Sequence, residues 1–534
     1  MTEPITSTTD MLWSGWGDPG QATTLPAPVI DLLEQGLGVK RPNPAVDLGD
    51  VRLPQSTLPG EARTQLVAAV GADSVRDDAE TRVLHTRGKS MPDLLLLRSG
   101  DAGDAPDAVV LPGSHDEVAA VLTACAEQRI AVVPFGGGTS VVGGLTPRRQ
   151  GFAAVIALDL RRMRRLLAVD PESRTATLEP GLRGPEAEAL LAEHGFTIGH
   201  HPQSFLYATI GGFAAARSSG QSSAGYGRFD EAVVGLKLAT PQGTLELGRA
   251  PRSAAGPDLR QLVLGSEGAL GVITSVTVHV RPVPRERVYE GWRFETFAAG
   301  AAALRHLAQD GPLPTVLRLS DEAETALNLA RPTEVGQPGA GGCMAITGYE
   351  GTPADVAARR EGATAVLLEC GGESLGTDPG ETWVHGRYRG PYLRDALLDA
   401  GALCETLETI TFWSGISGLY DAVGGALRDA LTEQGTPPAV LCHISHVYPT
   451  GASLYFTVAA AQLDDPIAQW TQAKTAANDA ILAAGGSISH HHGVGTDHRE
   501  WLARETGPLA AAALRAVKDR WDPAGIMNPG VLIA

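Results

Sequence analysis

Three consecutive histidines, His490, His491 and His492, stand between Ser489 and a Gly493-Val494-Gly495 turn. Imidazole changes charge near neutral pH and is a common metal ligand, so such a run can shuttle protons or bind an ion. Consecutive side chains project in different directions, however, and at most two of the three could share one metal without outside partners. No HxxxH or HExxH spacing accompanies them, and no metal is expected. A second cluster, Cys442-His443-Ile444-Ser445-His446-Val447-Tyr448, leads into Leu454-Tyr455-Phe456. A tyrosine, with an ordinary pKa near ~10, works as an acid or base only where a cationic neighbour stabilises its phenolate. Taken alone, the residues favour the plainer reading of Tyr455 as an aromatic on a β-strand.

Three glycine-rich loops form the other concentration of chemistry. The first holds Pro134, Gly136, Gly137, Gly138, Thr139, Ser140 and Val141 directly after a strand-like run. Consecutive glycines let backbone N–H groups converge on a phosphate, and the two hydroxyls add donors. The loop is neither a Walker A nor a GxGxxG sequence, which disfavours ATP and NAD. The second holds Gln203, Ser204, Thr209, Gly211 and Gly212, and is followed closely by Arg217, Ser218 and Ser219. The third is Gly265-Ser266-Glu267-Gly268-Ala269-Leu270-Gly271.

These loops need strands and helices to hold them. Residues 108–111 are a short apolar strand, and Ser114-x-x-Glu117 is a capping box that opens a helix with Val118, Val121, Leu122 and Cys125 on one face. Residues 130–134 are the next strand, so the unit is βαβ and the class α/β (α+β). Further strands are predicted over 153–158, 175–178, 232–239 and 271–280. Two prolines in Arg281-Pro282-Val283-Pro284 cannot donate to a ladder, and a domain boundary is expected there. The expected organisation is a partly helical lead-in over 1–102, a cofactor domain over 103–283, a substrate or cap domain over 284–463, and a helical region over 464–534 that carries the histidine loop. The two tryptophans of 13–17 read as a structural clasp.

Composition bounds the rest. A chain of 534 residues is too long for one core and has room for two or three domains. A net charge of −18 repels polyanions, so nucleic-acid partners are excluded, although local arginines can still hold a small anion. Five scattered cysteines without a CxxC pair argue against disulfides or structural zinc and for a reducing compartment. The opening ten residues are polar with two acids, unlike a leader, and no apolar run reaches the ~20 residues that cross a bilayer. No peroxisomal tripeptide closes the chain, so the cytoplasm is the expected location.

In order and spacing, the three glycine loops and the Arg217 stretch resemble the two-part FAD domain of the vanillyl-alcohol-oxidase/p-cresol-methylhydroxylase flavoprotein family. The resemblance implies FAD, with the loop residues named above as its ligands. Many members tether the flavin through a histidine after the second glycine of the first loop; Gly138 occupies that place, so non-covalent FAD is expected. Within that family the chain is similar to the alkyl-dihydroxyacetone-phosphate synthases. The similarity rests on 134–145, Arg318-Leu319, Arg394-Asp395, Leu454-Tyr455-Phe456, 489–495, the tryptophan clasp and the closing Asp522-Pro523-x-Gly525-Ile526-x-Asn528-Pro529. Those enzymes replace the acyl chain of acyl-dihydroxyacetone phosphate by a long-chain alcohol, with flavin N5 as a covalent anchor. The resemblance implies Tyr455 as proton donor and acceptor, His490, His491 and His492 beside the flavin, Arg318 in the catalytic region and Arg394 on the substrate phosphate. It also implies lipid-like substrates, and leaves peripheral membrane contact and a homodimer open. The rival reading is an FAD-linked D-lactate or glycolate dehydrogenase. Its metal motifs, Asp-Gly-Asn-Leu-His and Glu-His-Gly, carry Tyr455 and His491 here in place of the histidine and the glutamate.

Overall fold

Alternating apolar and polar runs give three main sheets. Four strands, β1 (Val75–Arg76), β2 (Ala108–Val110), β3 (Ile130–Phe135) and β4 (Ala154–Asp159), line up in the order β1-β2-β4-β3. The last three are parallel, as a βαβ unit requires, and β1 is antiparallel. The helix between β2 and β3, His115–Gln128, starts where the Ser114 hydroxyl accepts the N–H of Glu117. The Glu117 carboxylate reaches back one residue further than expected, to the N–H of Gly113 at 2.7 Å. Val118, Val121, Leu122 and Cys125 are buried against the sheet. The computed structural model describes residues 10–327 and 341–533. The stretch before Asp10 and the final Ala534, both read above for targeting signals, lie outside them.

The second sheet is antiparallel, in the order β5-β6-β10-β8-β9, from β5 (Leu166–Asp170), β6 (Thr175–Leu178), β8 (Val233–Thr240), β9 (Gly243–Leu247) and β10 (Val272–His279). Strands β5 and β9 lie at its two edges and are largely solvated, so their apolar pattern is weak. A separate two-residue pair joins β7 (Phe196–Thr197) to β11 (Arg281–Pro282). Pro282 is thus paired after all, in a two-stranded ladder short enough to tolerate a residue without an N–H.

The third sheet has seven antiparallel strands in the order β15-β12-β14-β13-β17-β18-β16. They are β12 (Glu286–Phe294), β13 (Val316–Ser320), β14 (Cys343–Gly351), β15 (Glu373–Gly376), β16 (Ala402–Phe412), β17 (Ala439–Tyr448) and β18 (Gly451–Ala461). Side chains alternate between faces along each strand. Leu454, Phe456 and Val458 of β18 and Ile444 of β17 join one core with Leu304 and Leu307 of helix Phe297–Asp310 and with Leu419, Val423 and Leu427 of helix Ile416–Glu433. The opposite face carries Tyr455. Register places Ser320, His443, Tyr455 and Glu408 in one row across β13, β17, β18 and β16.

After helix Arg499–Trp521 the chain returns to the first sheet, where Met527 bridges Val132. Asp522 accepts the N–H groups of Ile526 and Met527 at 3.0 and 2.8 Å, which explains the closing motif. Asn528 then donates to the carbonyls of Gly144 and Glu267 at 3.0 and 2.7 Å, tying the first glycine loop to the third. The five cysteines are free, and no helix among the described residues is long and apolar enough to cross a membrane.

Candidate active site

A cavity of about 590 Å³ opens between the glycine loops and the polar row of the seven-stranded sheet. Tyr455 forms part of its wall. Its ring stacks on His443, centroids 4.9 Å apart, lies parallel to His491 at 6.1 Å and meets His492 edge-on at 5.5 Å. Burial pushes the phenol up to about 12, and the carboxylates of Glu405 and Glu408 add to the rise. The Thr406 side chain and the Arg394 cation pull the other way. From Tyr455 the cavity follows the same face of β18 to Thr457 and Ala459 and ends on Val29, Leu33 and Leu37. That apolar arm was missed, because residues 27–37 read as part of a lead-in.

The histidine loop is built on Glu408. This buried carboxylate accepts the backbone N–H groups of His490, His491 and His492 at 2.7, 3.1 and 2.8 Å and the Ser489 hydroxyl at 2.7 Å. Burial opposes its charge, yet the three imidazoles and these N–H groups hold it well below the usual carboxylate range. Burial lowers His490, His491 and His492, the last to about 3, with Glu408 opposing in each case. His491 and His492 line the cavity; His490 sits behind them, its Nε2 on the Tyr448 hydroxyl at 2.6 Å. Ring nitrogens of His446, His490 and His491 lie within 4.8 Å of one another, a spacing that can hold a metal. Each already has a protein partner: His446 takes Ser223 at 2.6 Å, and Nδ1 atoms of His490 and His491 meet at 2.9 Å.

Glu324 supports the same row. It accepts from His443 Nδ1 at 2.8 Å and pairs with Arg318. Burial works against its ionisation, but His443 and Arg318 bring the carboxyl down to about 2. Arg318 lines the cavity and is spent on this carboxylate. Arg394 also lines it, with Nε and Nη2 on Asp395 Oδ1 at 3.1 and 2.8 Å and Nη1 on the Lys89 carbonyl at 2.5 Å. Asp395 in turn accepts the N–H of Trp16 at 2.5 Å, so the tryptophan clasp is fastened through this pair.

The glycine loops fit a flavin nucleotide. From Gly136 to Val141 no backbone N–H donates to another described group, which leaves a run of free donors at the cavity wall. A Cβ on Gly137 would lie 2.1 Å from the Tyr207 carbonyl, so only glycine lets the first and second loops touch there. Pro134, Gly136, Gly137, Gly138, Thr139, Ser140, Val141, Gln203, Ser204, Thr209, Gly211, Gly212, Ser218, Ser219, Ser266, Glu267, Gly268 and Gly271 all line the cavity. Four expected ligands do not. Arg217 turns away to the carbonyls of Leu264 and Gln261, both at 2.9 Å, because its backbone adopts φ 49° and points the side chain behind the wall. Gly265 packs against that arginine, and Ala269 and Leu270 are buried behind the third loop. The Glu267 carboxylate accepts the N–H groups of Val494 and Gly495, clamping the flavin loop to the histidine loop.

Fold and site together define an FAD flavoprotein of the p-cresol methylhydroxylase fold. An FAD-binding domain family matches residues 106–248, and the C-terminal domain of FAD-linked oxidases matches 283–532. The structure of p-cresol methylhydroxylase aligns over 90% of this chain and 98% of its own with a TM-score of 0.68 at 17% identity, which establishes the fold alone. The chain belongs to the alkyldihydroxyacetonephosphate synthase family. It is 34% identical to the Dictyostelium discoideum synthase over 92% of this chain and 83% of that one. A solved alkyldihydroxyacetonephosphate synthase structure covers 97% of this chain and 98% of its own at 32% identity, with a TM-score of 0.84.

FAD is thus the cofactor, and Gly138, the place where the resemblance puts a tethering histidine in other members, offers no nucleophile. Acid precipitation of the yellow protein is expected to leave all flavin in the supernatant. Flavin that stays with the pellet refutes the non-covalent assignment.

Proposed function

We propose that the chain exchanges the acyl chain of acyl-dihydroxyacetone phosphate for a long-chain alcohol. The carbon–oxygen bond to the carboxylate breaks, a carbon–oxygen bond to the alcohol forms, and the alcohol's proton leaves, so the sum is redox-neutral. One observation carries this reading: Tyr455 stands beside the rings of His491 and His492, at the flavin loops and at the mouth of an apolar arm. FAD, when bound, would supply an electrophilic ring system beside the substrate carbon.

The remaining steps belong to the protein. The apolar arm along Ala459, Leu33 and Val29 takes a hydrocarbon chain out of water. Removing a proton from the carbon beside a ketone needs a base in place. Tyr455 takes that proton at its hydroxyl while its own passes to the imidazole of His491, whose ring lies parallel to it. Glu408 fixes both histidines through their backbone, and Tyr448 fixes His490. Arg318 keeps Glu324 ionised, and Glu324 sets the ring of His443 against Tyr455.

A dehydrogenase reading draws on the three close histidine nitrogens, which could take a metal. The two are separated by supplying palmitoyl-dihydroxyacetone phosphate and hexadecanol without any electron acceptor and with EDTA present. The synthase reading expects the alkyl product with one palmitate released per turnover. No alkyl product, together with dye reduction by D-lactate or glycolate, overturns it.

A further inference from the structure

In the proposed exchange each turnover frees one proton inside the cavity, and that proton needs a way out. Protons travel along hydrogen bonds in which every group can donate and accept in turn. One such line leaves the cavity. His491 lines the wall, with its ring parallel to that of Tyr455. Its Nδ1 meets Nδ1 of His490 at 2.9 Å, and His490 Nε2 meets the Tyr448 hydroxyl at 2.6 Å. Two ring nitrogens at that distance share one hydrogen, so one donates and the other accepts. An imidazole takes a proton at one nitrogen and gives one up at the other, and a hydroxyl does both at one oxygen. His492 lines the cavity too, but no hydrogen bond links its ring to another described residue.

The surroundings suit an exit. His490 is buried behind the wall, whereas Tyr448 is only partly buried, ends β17 and is followed by the exposed Pro449 and Thr450. The line therefore runs from the cavity through the interior to the surface. At its inner end the Glu408 carboxylate lies 3.7 Å from His491 Nδ1, where it compensates the charge of an imidazolium. His446, anchored on Ser223 at 2.6 Å, stacks on His490 with centroids 4.8 Å apart and limits how that ring can turn. At the outer end Arg228 donates to the His490 carbonyl at 2.9 Å. Burial pushes the Tyr448 phenol up to about 12, and Arg228 pulls the other way. That guanidinium makes the Tyr448 oxygen a poor resting place for an extra proton and favours its release to water.

We propose that His491, His490 and Tyr448 form the proton exit of the active site, with Tyr448 as its solvent end. His491 gains a proton at Nε2 as its Nδ1–H passes to His490 Nδ1. The Nε2–H of His490 passes to the Tyr448 oxygen, and the Tyr448 O–H passes to water, so one bond to hydrogen forms for each that breaks. The route deepens the synthase reading and rests on the proton that reading frees. It is tested on the flavin-loaded enzyme with palmitoyl-dihydroxyacetone phosphate and hexadecanol. Tyr448→Phe keeps the ring and removes the hydroxyl, and Tyr448→Ala opens room for a soluble imidazole. Turnover, and exchange of the substrate's α-protons with deuterated water, are each expected to fall roughly 10-fold in both variants. Flavin content and melting temperature are expected to stay near wild type in Y448F. Added imidazole, at fixed pH and ionic strength, is expected to restore most of the exchange in Y448A and to leave the wild type unchanged. Equal exchange in wild type and Y448F overturns the proposal. So does slow exchange in both variants that imidazole does not raise, because the hydroxyl would then only position His490. The expected pattern of exchange in a wild type that forms no alkyl product refutes the synthase reading and leaves the exit standing.

Discussion

Tyr455→Phe is expected to cut turnover by about 10²-fold or more, because the variant keeps the ring but loses the only atom that can carry the proton. Packing changes little. Phenylalanine retains the stack on His443, and only a hydroxyl and one hydrogen bond, worth about 1 kcal/mol, are removed. The melting temperature and flavin content should therefore stay near wild type while the rate falls. The direct measurement is exchange of the substrate's α-protons with deuterated water, followed by NMR in both proteins. Equal exchange rates would move the base to the histidine loop.

Glu408→Gln is expected to be as damaging through a different route. The amide oxygen can still accept, but the amide NH₂ then faces backbone N–H groups that also donate, and one or more of His490, His491 and His492 loses its anchor. Misplacing a catalytic group by about 1 Å costs on the order of 10²-fold in rate, and breaking a buried charged network costs about 3 kcal/mol. The variant also reports on acid stability. The folded carboxylate titrates below its ordinary 4.5, so its contribution is present above that pH and is lost as pH falls through the lower folded value. Wild type should lose stability on acidification below about pH 4.5, and Glu408→Gln should lose less over the same range. A melting temperature in Glu408→Gln equal to that of wild type at pH 7 would mean that the carboxylate does not hold the loop.

The parts of the molecule with strong period-two or period-3.6 patterns were legible. The βαβ unit over 108–135 and the strand under Tyr455 are examples, since burial on one face leaves a regular imprint. The glycine loops were legible too, because close backbone approach excludes every side chain. Where a long side chain points was not. Arg217 and Arg387 both sit in short turns, yet one is spent on carbonyls behind the wall and the other lies over the rings of Tyr388 and Trp383. That difference is decided by backbone φ and by partners that, for Arg217, lie more than 40 residues on. Glu408 had a readable sign that went unused. Two glutamates, Glu405 and Glu408, interrupt an otherwise apolar or threonine-bearing strand, and a charge in such a run must have buried partners. Its partners lie more than 80 residues on, beyond any local pattern.

Asn528 spans the first and third glycine loops with one side-chain amide, and Met527 lies against the strand that feeds the first. Translation proceeds from the other end. All three nucleotide-facing loops emerge from the ribosome before residue 528, and the side-chain amide that ties the first to the third follows only then. That cross-link is therefore made only after both loops it joins have left the ribosome.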